Sequence, residues 1–154
     1  MTGSEIIAEA APPARVRLAV ADVLYSHRVC PAEVDGFNVV HFSNYLRWVS
    51  AALMELFEKA GLGPGRFCDG TVEIRVGRAQ MAYVSSARLG DPIEASIRSV
   101  EFDRSSMILG CAVQANGRVL SRGRLTIAFV LSATGALTPV PDEVRAALAR
   151  GRAA

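Results

Sequence analysis

A long apolar helix followed by several strand patterns is the feature that most constrains the fold of this chain. From Ser43 to Ala60 the predicted helix carries apolar residues on most sides and leaves only a narrow polar stripe. A helix of this kind must be largely buried. Gly61 follows as the expected C-cap, because glycine readily adopts the left-handed conformation that ends many helices.

The segments after this helix show the period-two pattern of β-strands. Residues 72–76 alternate apolar and charged side chains, and Gly77 interrupts the pattern where we expect a bulge. Residues 93–97 repeat the alternation. Residues 107–113 are apolar on both faces, which predicts a central strand covered by the helix on one side and by a partner or neighbouring layer on the other.

The dipeptide Asn116-Gly117 is the strongest hairpin signal in the sequence, because both residues tolerate positive φ. It leads into a predicted strand over residues 119–131. Pro139 and Pro141 then introduce a short terminal helix. A helix followed by consecutive strands predicts an α+β fold, with an antiparallel sheet wrapped around one long central helix, and not alternating parallel units.

Length and charge indicate a single globular domain. The chain has 154 residues and is 51% hydrophobic, which suffices for one domain that buries roughly two-thirds of the surface of its unfolded chain. A formal net charge of +2, with the charges of both signs scattered, favours neither nucleic acid nor a membrane surface as partner. We expect residues 1–15 to form a disordered tail and residues 16–150 to form the domain.

The cysteines and histidines predict neither a disulfide framework nor a metal site. Cys30, Cys68 and Cys111 are odd in number and widely spaced, and His27 and His41 are the only histidines. The first residues lack the features of a secretory signal, and the longest apolar runs are far below the roughly 20 residues that cross a bilayer. We therefore expect a soluble, cytoplasmic protein without a metal or a cofactor.

Three segments carry a family resemblance. Residues 35–48, DGFNVVHFSNYLRW, contain the pattern Asp-x3-Val-Val-x-Phe-x2-Tyr, and YVSSARLGD from Tyr83 and SRGRLTIAFVL from Ser121 follow downstream. Together they resemble the 4-hydroxybenzoyl-CoA thioesterase branch of the hotdog-fold superfamily, over about residues 25–148. The resemblance implies a hotdog fold and hydrolysis of an acyl-CoA or acyl-carrier-protein thioester. We also expect a homodimer or homotetramer, because a sheet whose central strands are apolar on both faces leaves surface that one long helix cannot cover.

Asp35 is the principal candidate for catalysis. It lies in a glycine-containing loop before the helix, whose first turn offers unpaired N–H groups and the positive end of the helix dipole to a developing oxyanion. Taken locally, Asp35-Gly36 is typical of a turn or an Asx cap. The resemblance instead implies that Asp35 is the catalytic aspartate, acting as a nucleophile or as a base for water, and that the backbone N–H of Phe42 polarises the thioester carbonyl.

The sequence departs from the family pattern at two positions in this segment. Asn38 replaces a frequent glycine, and His41 replaces an aromatic residue. We interpret His41 first as a pocket wall or polar contact and only second as a catalytic residue. The expected substrate contacts are polar, aromatic or cationic side chains near the motif or at strand ends: Asn38, Ser43, Tyr45, Arg88 and Arg104.

A related resemblance bears on the substrate. The run NYLRW, residues 44–48, is shared with thioesterases of enediyne biosynthesis, which implies a polyketide or carrier-protein substrate. Those enzymes have asparagine at the position of Asp35 and a functional arginine at the position of Leu53. Because neither is present here, the aspartate mechanism is favoured.

Two alternative functions remain from the sequence. His41-Phe42 resembles the His-Phe-Pro run of hydroxyacyl-thioester dehydratases with the same fold, although Ser43 stands where the proline is expected. A non-catalytic acyl-CoA binding protein is the second alternative, and the carboxylate of Asp35 argues against it.

Overall fold

The computed structural model describes residues 17–19, 23–63 and 69–150, so the predicted tail over residues 1–15 lies outside the described residues. The elements in chain order are β1 (Arg17–Ala19), β2 (Val23–Arg28), a 3-10 turn (Pro31–Glu33), α1 (Ser43–Lys59), β3 (Val72–Tyr83), β4 (Pro92–Phe102), β5 (Ser106–Ala115), β6 (Arg118–Leu131) and α2 (Asp142–Arg150). The predicted order of one helix and then strands is incomplete, because β1 and β2 precede α1.

The strands form one antiparallel sheet in the order β1–β4–β5–β6–β3. β2 pairs with the same edge of β4 as β1, farther along the strand. β5 lies in the centre, as residues 107–113 predict, and its odd-numbered side chains from Met107 to Ala115 are buried. The fold class is therefore α+β with an antiparallel sheet, and the described residues contain two helices.

The register of the sheet shifts in four of its strand pairings, and the shifts on β3 and β4 bear on the sequence predictions. Pairing shifts between Val76 and Arg78 on β3, so the bulge predicted at Gly77 is confirmed. A second shift, between Ile97 and Ser99 on β4, has no counterpart in the sequence prediction. It moves the buried positions of β4 from odd numbers before the bulge to even numbers after it.

The turn between β5 and β6 confirms the hairpin prediction. Asn116 has φ 51° and Gly117 has φ 74°, and Ala115 pairs with Arg118 across them. Positive φ at both central residues matches the twist of the two strands.

Helix α1 packs against β2, β4 and β5. Its opposite face is exposed, with Met54 45% exposed, so the helix is buried on one face and not on most sides. It ends as predicted at Gly61, which has φ 75°. The Leu62 N–H donates to the Phe57 carbonyl at 2.8 Å and the Gly61 N–H to the Glu58 carbonyl at 3.0 Å, the two bonds of a Schellman motif. The buried side of the helix is formed by Asn44, Tyr45, Trp48, Val49, Ala52, Leu53, Leu56 and Phe57.

The short terminal helix α2 is also present, with Val144, Ala147 and Leu148 buried. Arg145 fixes it to the turn after β4, donating to the Asp103 carbonyl at 2.6 Å and placing its guanidinium 5.0 Å from the centre of the Phe102 ring. Neither helix in the described part of the chain has the length and apolar character needed to span a bilayer.

Candidate active site

The loop that carries Asp35 is closed by backbone pairing. Val34 and Val40 form an isolated antiparallel bridge, the Asp35 N–H donates to the Val39 carbonyl at 2.9 Å, and the Asn38 N–H donates to the Asp35 carbonyl at 3.0 Å. Asn38 has φ 61°, a conformation that favours glycine but that asparagine also tolerates. This explains how asparagine can occupy the glycine position. We call residues 34–40 the aspartate loop.

The side chain of Asp35 makes the local contact expected of an Asx turn. Its Oδ1 accepts the Phe37 N–H at 2.8 Å, while Oδ2 has no hydrogen-bond partner among the described residues. The residue is half-buried. One carboxylate oxygen thus stabilises the loop, whereas the other takes no part in the turn.

His41 caps the start of α1. Its Nδ1 accepts the Ser43 N–H at 3.3 Å and lies 2.7 Å from the Ser43 hydroxyl, which can donate to it as well. The backbone N–H of Phe42 has no partner within the described ranges, as expected for a donor in the first turn of a helix. The Phe42 carbonyl, in contrast, accepts the Tyr83 hydroxyl at 3.2 Å.

A cavity of about 190 Å³ lies at this end of α1. The connection between β3 and β4 is held against the aspartate loop and α1, because the Val40 N–H donates to the Ala87 carbonyl at 3.0 Å and the Ala87 N–H donates to the Tyr45 hydroxyl at 2.9 Å. These bonds bring distant segments of the sequence to one wall. The lining residues are Val40, Phe42, Tyr45, Tyr83, Val84, Ser85 and Ser86.

Two tyrosines define the polar character of the cavity. The rings of Tyr45 and Tyr83 meet edge to face, with centroids 5.2 Å apart. Burial raises the pKa of Tyr45, an effect that the Ala87 N–H partly offsets and Asp91 reinforces. Burial and the neighbouring Tyr45 also raise the pKa of Tyr83. Both hydroxyls therefore stay protonated at neutral pH, and Tyr83 donates to the chain at the start of α1.

The structure separates the other predicted residues. Asp35 and Asn38 belong to the loop beside the cavity but do not line it, and Ser43 is exposed. Arg88 lies in the connection between β3 and β4, where its N–H donates to Asp91 Oδ2 at 2.9 Å. Arg104 lies beyond the opposite end of β4, and a strand of that length spans about 35 Å. Within the described part of one chain, Arg104 is thus remote from the cavity.

Two larger depressions lie elsewhere on the sheet. Their volumes are about 420 and 430 Å³, and they share Arg122 and Gly123 of β6. Neither contains Asp35 or Phe42. The smaller cavity at α1 is therefore the better candidate for chemistry that uses the aspartate loop.

Glu33 forms a polar cluster behind the aspartate loop. Its side chain contacts His27 Nε2 at 2.8 and 2.9 Å through its two oxygens, and accepts the Trp48 indole N–H at 3.2 Å and the Cys30 N–H at 2.9 Å. Burial raises the pKa of Glu33, but the hydrogen bonds from Cys30, His27 and Trp48 outweigh burial and lower it. The Glu33 carbonyl also accepts the His41 N–H at 2.9 Å, so the cluster connects β2, the loop and α1.

Sequence reasoning missed Tyr83 and the Glu33 cluster as parts of the site. Tyr83 lies in a segment that carries the family resemblance, which is the only signal that could have identified it. His27 and Trp48 lie 6 and 15 residues from Glu33, and no local pattern predicts that they meet.

Comparison with known proteins identifies the family. The model of the thioesterase-like superfamily matches residues 29–148. Comparison with curated protein sequences gives no significant match. Three of the similar solved structures illustrate the shared fold.

A hypothetical protein from Thermus thermophilus has 24% identity and a TM-score of 0.76, over 84% of this chain and 98% of its own. A 1,4-dihydroxy-2-naphthoyl-CoA thioesterase from Synechocystis has 16% identity and a TM-score of 0.72, over 81% of this chain and 93% of its own. A hypothetical protein from Staphylococcus aureus, solved in complex with CoA, has 16% identity and a TM-score of 0.72, over 82% of this chain and 80% of its own. With the family match covering most of its length, the chain belongs to the thioesterase-like superfamily.

Proposed function

We propose that this protein hydrolyses an acyl thioester, with Asp35 and the backbone N–H of Phe42 as the reacting groups. The observation that carries the proposal is the N–H of Phe42, which lacks a partner in the described structure and belongs to a residue that lines the cavity. A donor in this position stabilises the negative charge that develops on a carbonyl oxygen under attack. The aspartate loop beside the cavity contributes Oδ2 of Asp35, which has no hydrogen-bond partner among the described residues.

Two routes lead from this arrangement to hydrolysis. In the first, Asp35 removes a proton from water, the water oxygen bonds to the acyl carbon, and the carbon–sulfur bond breaks to release the thiol. In the second, a carboxylate oxygen of Asp35 attacks the acyl carbon, the carbon–sulfur bond breaks to release the thiol, and water then hydrolyses the resulting anhydride to the acid and free Asp35. A single turnover in ¹⁸O-labelled water separates them, because the second route can place the label in the Asp35 carboxylate.

The cavity favours a small acyl group. Ligand pockets for drug-sized molecules usually measure about 300–1,000 Å³, and this cavity is smaller, at about 190 Å³. Its walls include the rings of Phe42, Tyr45 and Tyr83, which suit a short or single-ring acyl chain. The CoA thioesterase from Synechocystis and the CoA complex from Staphylococcus aureus support CoA as the thiol carrier.

A panel of acyl thioesters tests the proposal. The protein is incubated with short-chain, long-chain and aryl acyl-CoAs and with the same acyl groups on a carrier protein, and free thiol is measured over time. We expect thiol release to be fastest with small acyl-CoAs. A 3-hydroxyacyl-CoA is included in the panel, because only a hydroxyacyl group can lose water. Enoyl product from it without thiol release would indicate a dehydratase, and saturable binding without any product would indicate a binding protein; either result would overturn the proposal.

A further inference from the structure

The corner between β2 and the 3-10 turn brings three metal-binding side chains together. His27 is in β2, Cys30 precedes the turn and Glu33 ends it, so the residues follow one another at intervals of three. One possible ligand atom from each lies within 4.8 Å of the other two. Cys30 is exposed whereas Glu33 is only 9% exposed, so the cluster opens to solvent on the side of the thiol.

The three side chains offer a donor set that suits zinc. Imidazole nitrogen, thiolate sulfur and carboxylate oxygen all bind Zn²⁺, and three protein ligands with an open fourth position form a common tetrahedral arrangement. Binding would remove the thiol proton to solvent, because only the thiolate is a ligand. The sequence predicted no metal because His-x2-Cys-x2-Glu lacks the paired cysteines that mark zinc sites.

The carboxylate of Glu33 is held in a fixed orientation before any metal binds. Trp48 donates to Oε1 and the Cys30 backbone N–H donates to Oε2, at 3.2 and 2.9 Å. Hydrogen bonds of this kind orient the side chains that bind the ion in known metal sites and strengthen binding.

The charge balance of the cluster also favours a cation. A largely buried carboxylate is costly without a compensating positive charge. Among the described residues, the arginines in ion pairs contact Glu73 and Glu101 instead, and Glu33 has only His27 as a potentially cationic neighbour.

We propose that His27, Cys30 and Glu33 bind a divalent transition metal ion, with zinc the best match to the ligands. Binding requires the contact of 2.8 Å between His27 Nε2 and Glu33 Oε1 to open slightly, since two ligands of one tetrahedral zinc ion, each about 2.0–2.1 Å from the metal, lie roughly 3.3 Å apart. The Glu33 carbonyl accepts the N–H of His41, so the ion would lie directly behind the start of α1.

Cobalt titration tests the site independently of any thioesterase activity. The full chain is freed of metal with a chelator and titrated with Co²⁺, whose thiolate charge-transfer band reports sulfur ligation and whose visible bands report tetrahedral geometry. We expect one equivalent of Co²⁺ per chain, displaced by Zn²⁺. Cys30→Ser should abolish the charge-transfer band, and His27→Gln should weaken Co²⁺ binding by at least about tenfold, since even outer-shell changes cost about 10- to 100-fold.

The control variant is Cys68→Ser, which removes a thiol outside the proposed ligand set and should leave the band unchanged. Because Cys30 is exposed, Cys30→Ser should fold normally, and circular dichroism checks this. Absence of the band in the parent protein, its persistence in Cys30→Ser, or its loss in Cys68→Ser would each overturn the proposal. None of these results depends on whether the protein hydrolyses thioesters.

Discussion

Asp35 accepts the Phe37 N–H in the loop and is also the proposed catalytic carboxylate. One substitution can separate these two roles. Asparagine keeps a side-chain oxygen for the Phe37 N–H but removes the negative charge. We therefore expect Asp35→Asn to lower turnover of the best thioester substrate by at least about 100-fold. The free energy of unfolding should change by no more than about 0.5 kcal/mol. Steady-state thiol release and chemical denaturation measure the two effects.

Asp69 provides a matched control for this substitution. Its Oδ1 accepts the Thr71 N–H at 3.0 Å, which is the same type of turn. Asp69 lies before the start of β3, whereas the cavity is at the other end of that strand, where Tyr83 lines it. Asp69→Asn should leave turnover unchanged. An Asp35→Asn variant that hydrolyses at near the parent rate would contradict the catalytic assignment and leave the Asx turn as the role of Asp35.

Tyr83 allows a test of how the start of α1 is positioned. Tyr83→Phe removes the hydroxyl that donates to the Phe42 carbonyl at 3.2 Å and retains the ring. A hydrogen bond contributes about 1 kcal/mol, so we expect kcat/KM for thioester hydrolysis to fall about fivefold. Tyr25→Phe is the control, because the Tyr25 hydroxyl makes no hydrogen bond in the described residues. Equal kcat/KM values for the two variants would show that this bond does not affect the site.

Glu33 should make the free energy of unfolding depend on pH. Burial raises its pKa, and the hydrogen bonds lower it by more, to below its ordinary value of 4.5. The charged form therefore stabilises the folded state above pH 4.5, and this stabilisation is lost as pH falls through the folded-state pKa. His27 and Cys30 are the titratable groups that face it. Denaturation across a pH series should show that the free energy of unfolding falls less at acidic pH for Glu33→Gln than for the parent protein. Parallel curves of unfolding free energy against pH would refute this.

The end of α1 offers a prediction at the level of a secondary-structure element. Gly61 has φ 75°, and a Cβ added there meets no other atom within 4 Å. Gly61→Ala therefore changes backbone strain alone, which costs about 1–2 kcal/mol for a left-handed residue. Gly36→Ala is the control, since its added Cβ is also unobstructed and its φ is not positive. Denaturant midpoints measure the stability of both variants. An equal loss of stability in Gly61→Ala and Gly36→Ala would show that backbone strain at Gly61 is not the cause.

Local signals were sufficient to predict several elements correctly. The C-cap at Gly61, the bulge at Gly77 and the turn at Asn116-Gly117 each depend on residues a few positions apart, and alternation predicted the strands at residues 72–76 and 93–97. Backbone conformation at a glycine or an Asn-Gly pair is set by the residue itself. Such features can therefore be predicted without knowing the tertiary structure.

Features that depend on distant contacts were not predicted. The register shift between Ile97 and Ser99 arises in the pairing of β4 with β5, and the edge formed by β1 and β2 exists only through pairing with β4. The cavity likewise requires Tyr83 to meet Phe42, 41 residues earlier. Asp35 and Phe42 entered the candidate site through family resemblance, since their own neighbours are equally typical of a turn and a helix start.

The whole sheet has an exposed edge that predicts self-association. β3 pairs only with β6 in the described structure, and Val76 is 60% exposed on it. An unpaired edge is a template for another strand, so we expect a homodimer joined along β3. Light scattering at micromolar concentration should give twice the chain mass, and Val76→Lys should lower the measured mass towards that of a monomer. Leu137→Lys is the control, at a residue that is 68% exposed and lies outside β3, with a single bridge to Val130 of β6; a parent monomer would refute the expectation.

The strand order has a kinetic consequence for how the chain reaches this fold. β4, β5 and β6 are consecutive in sequence and adjacent in space, so their pairing closes only short loops. Both flanks of the sheet close much longer loops, because Arg28 pairs with Pro92 and Val72 with Leu131. Loop-closure entropy makes such distant pairings slow. The three-strand meander should therefore form early in folding, and the two edges, which carry the proposed metal ligands and the exposed strand β3, should complete the structure last.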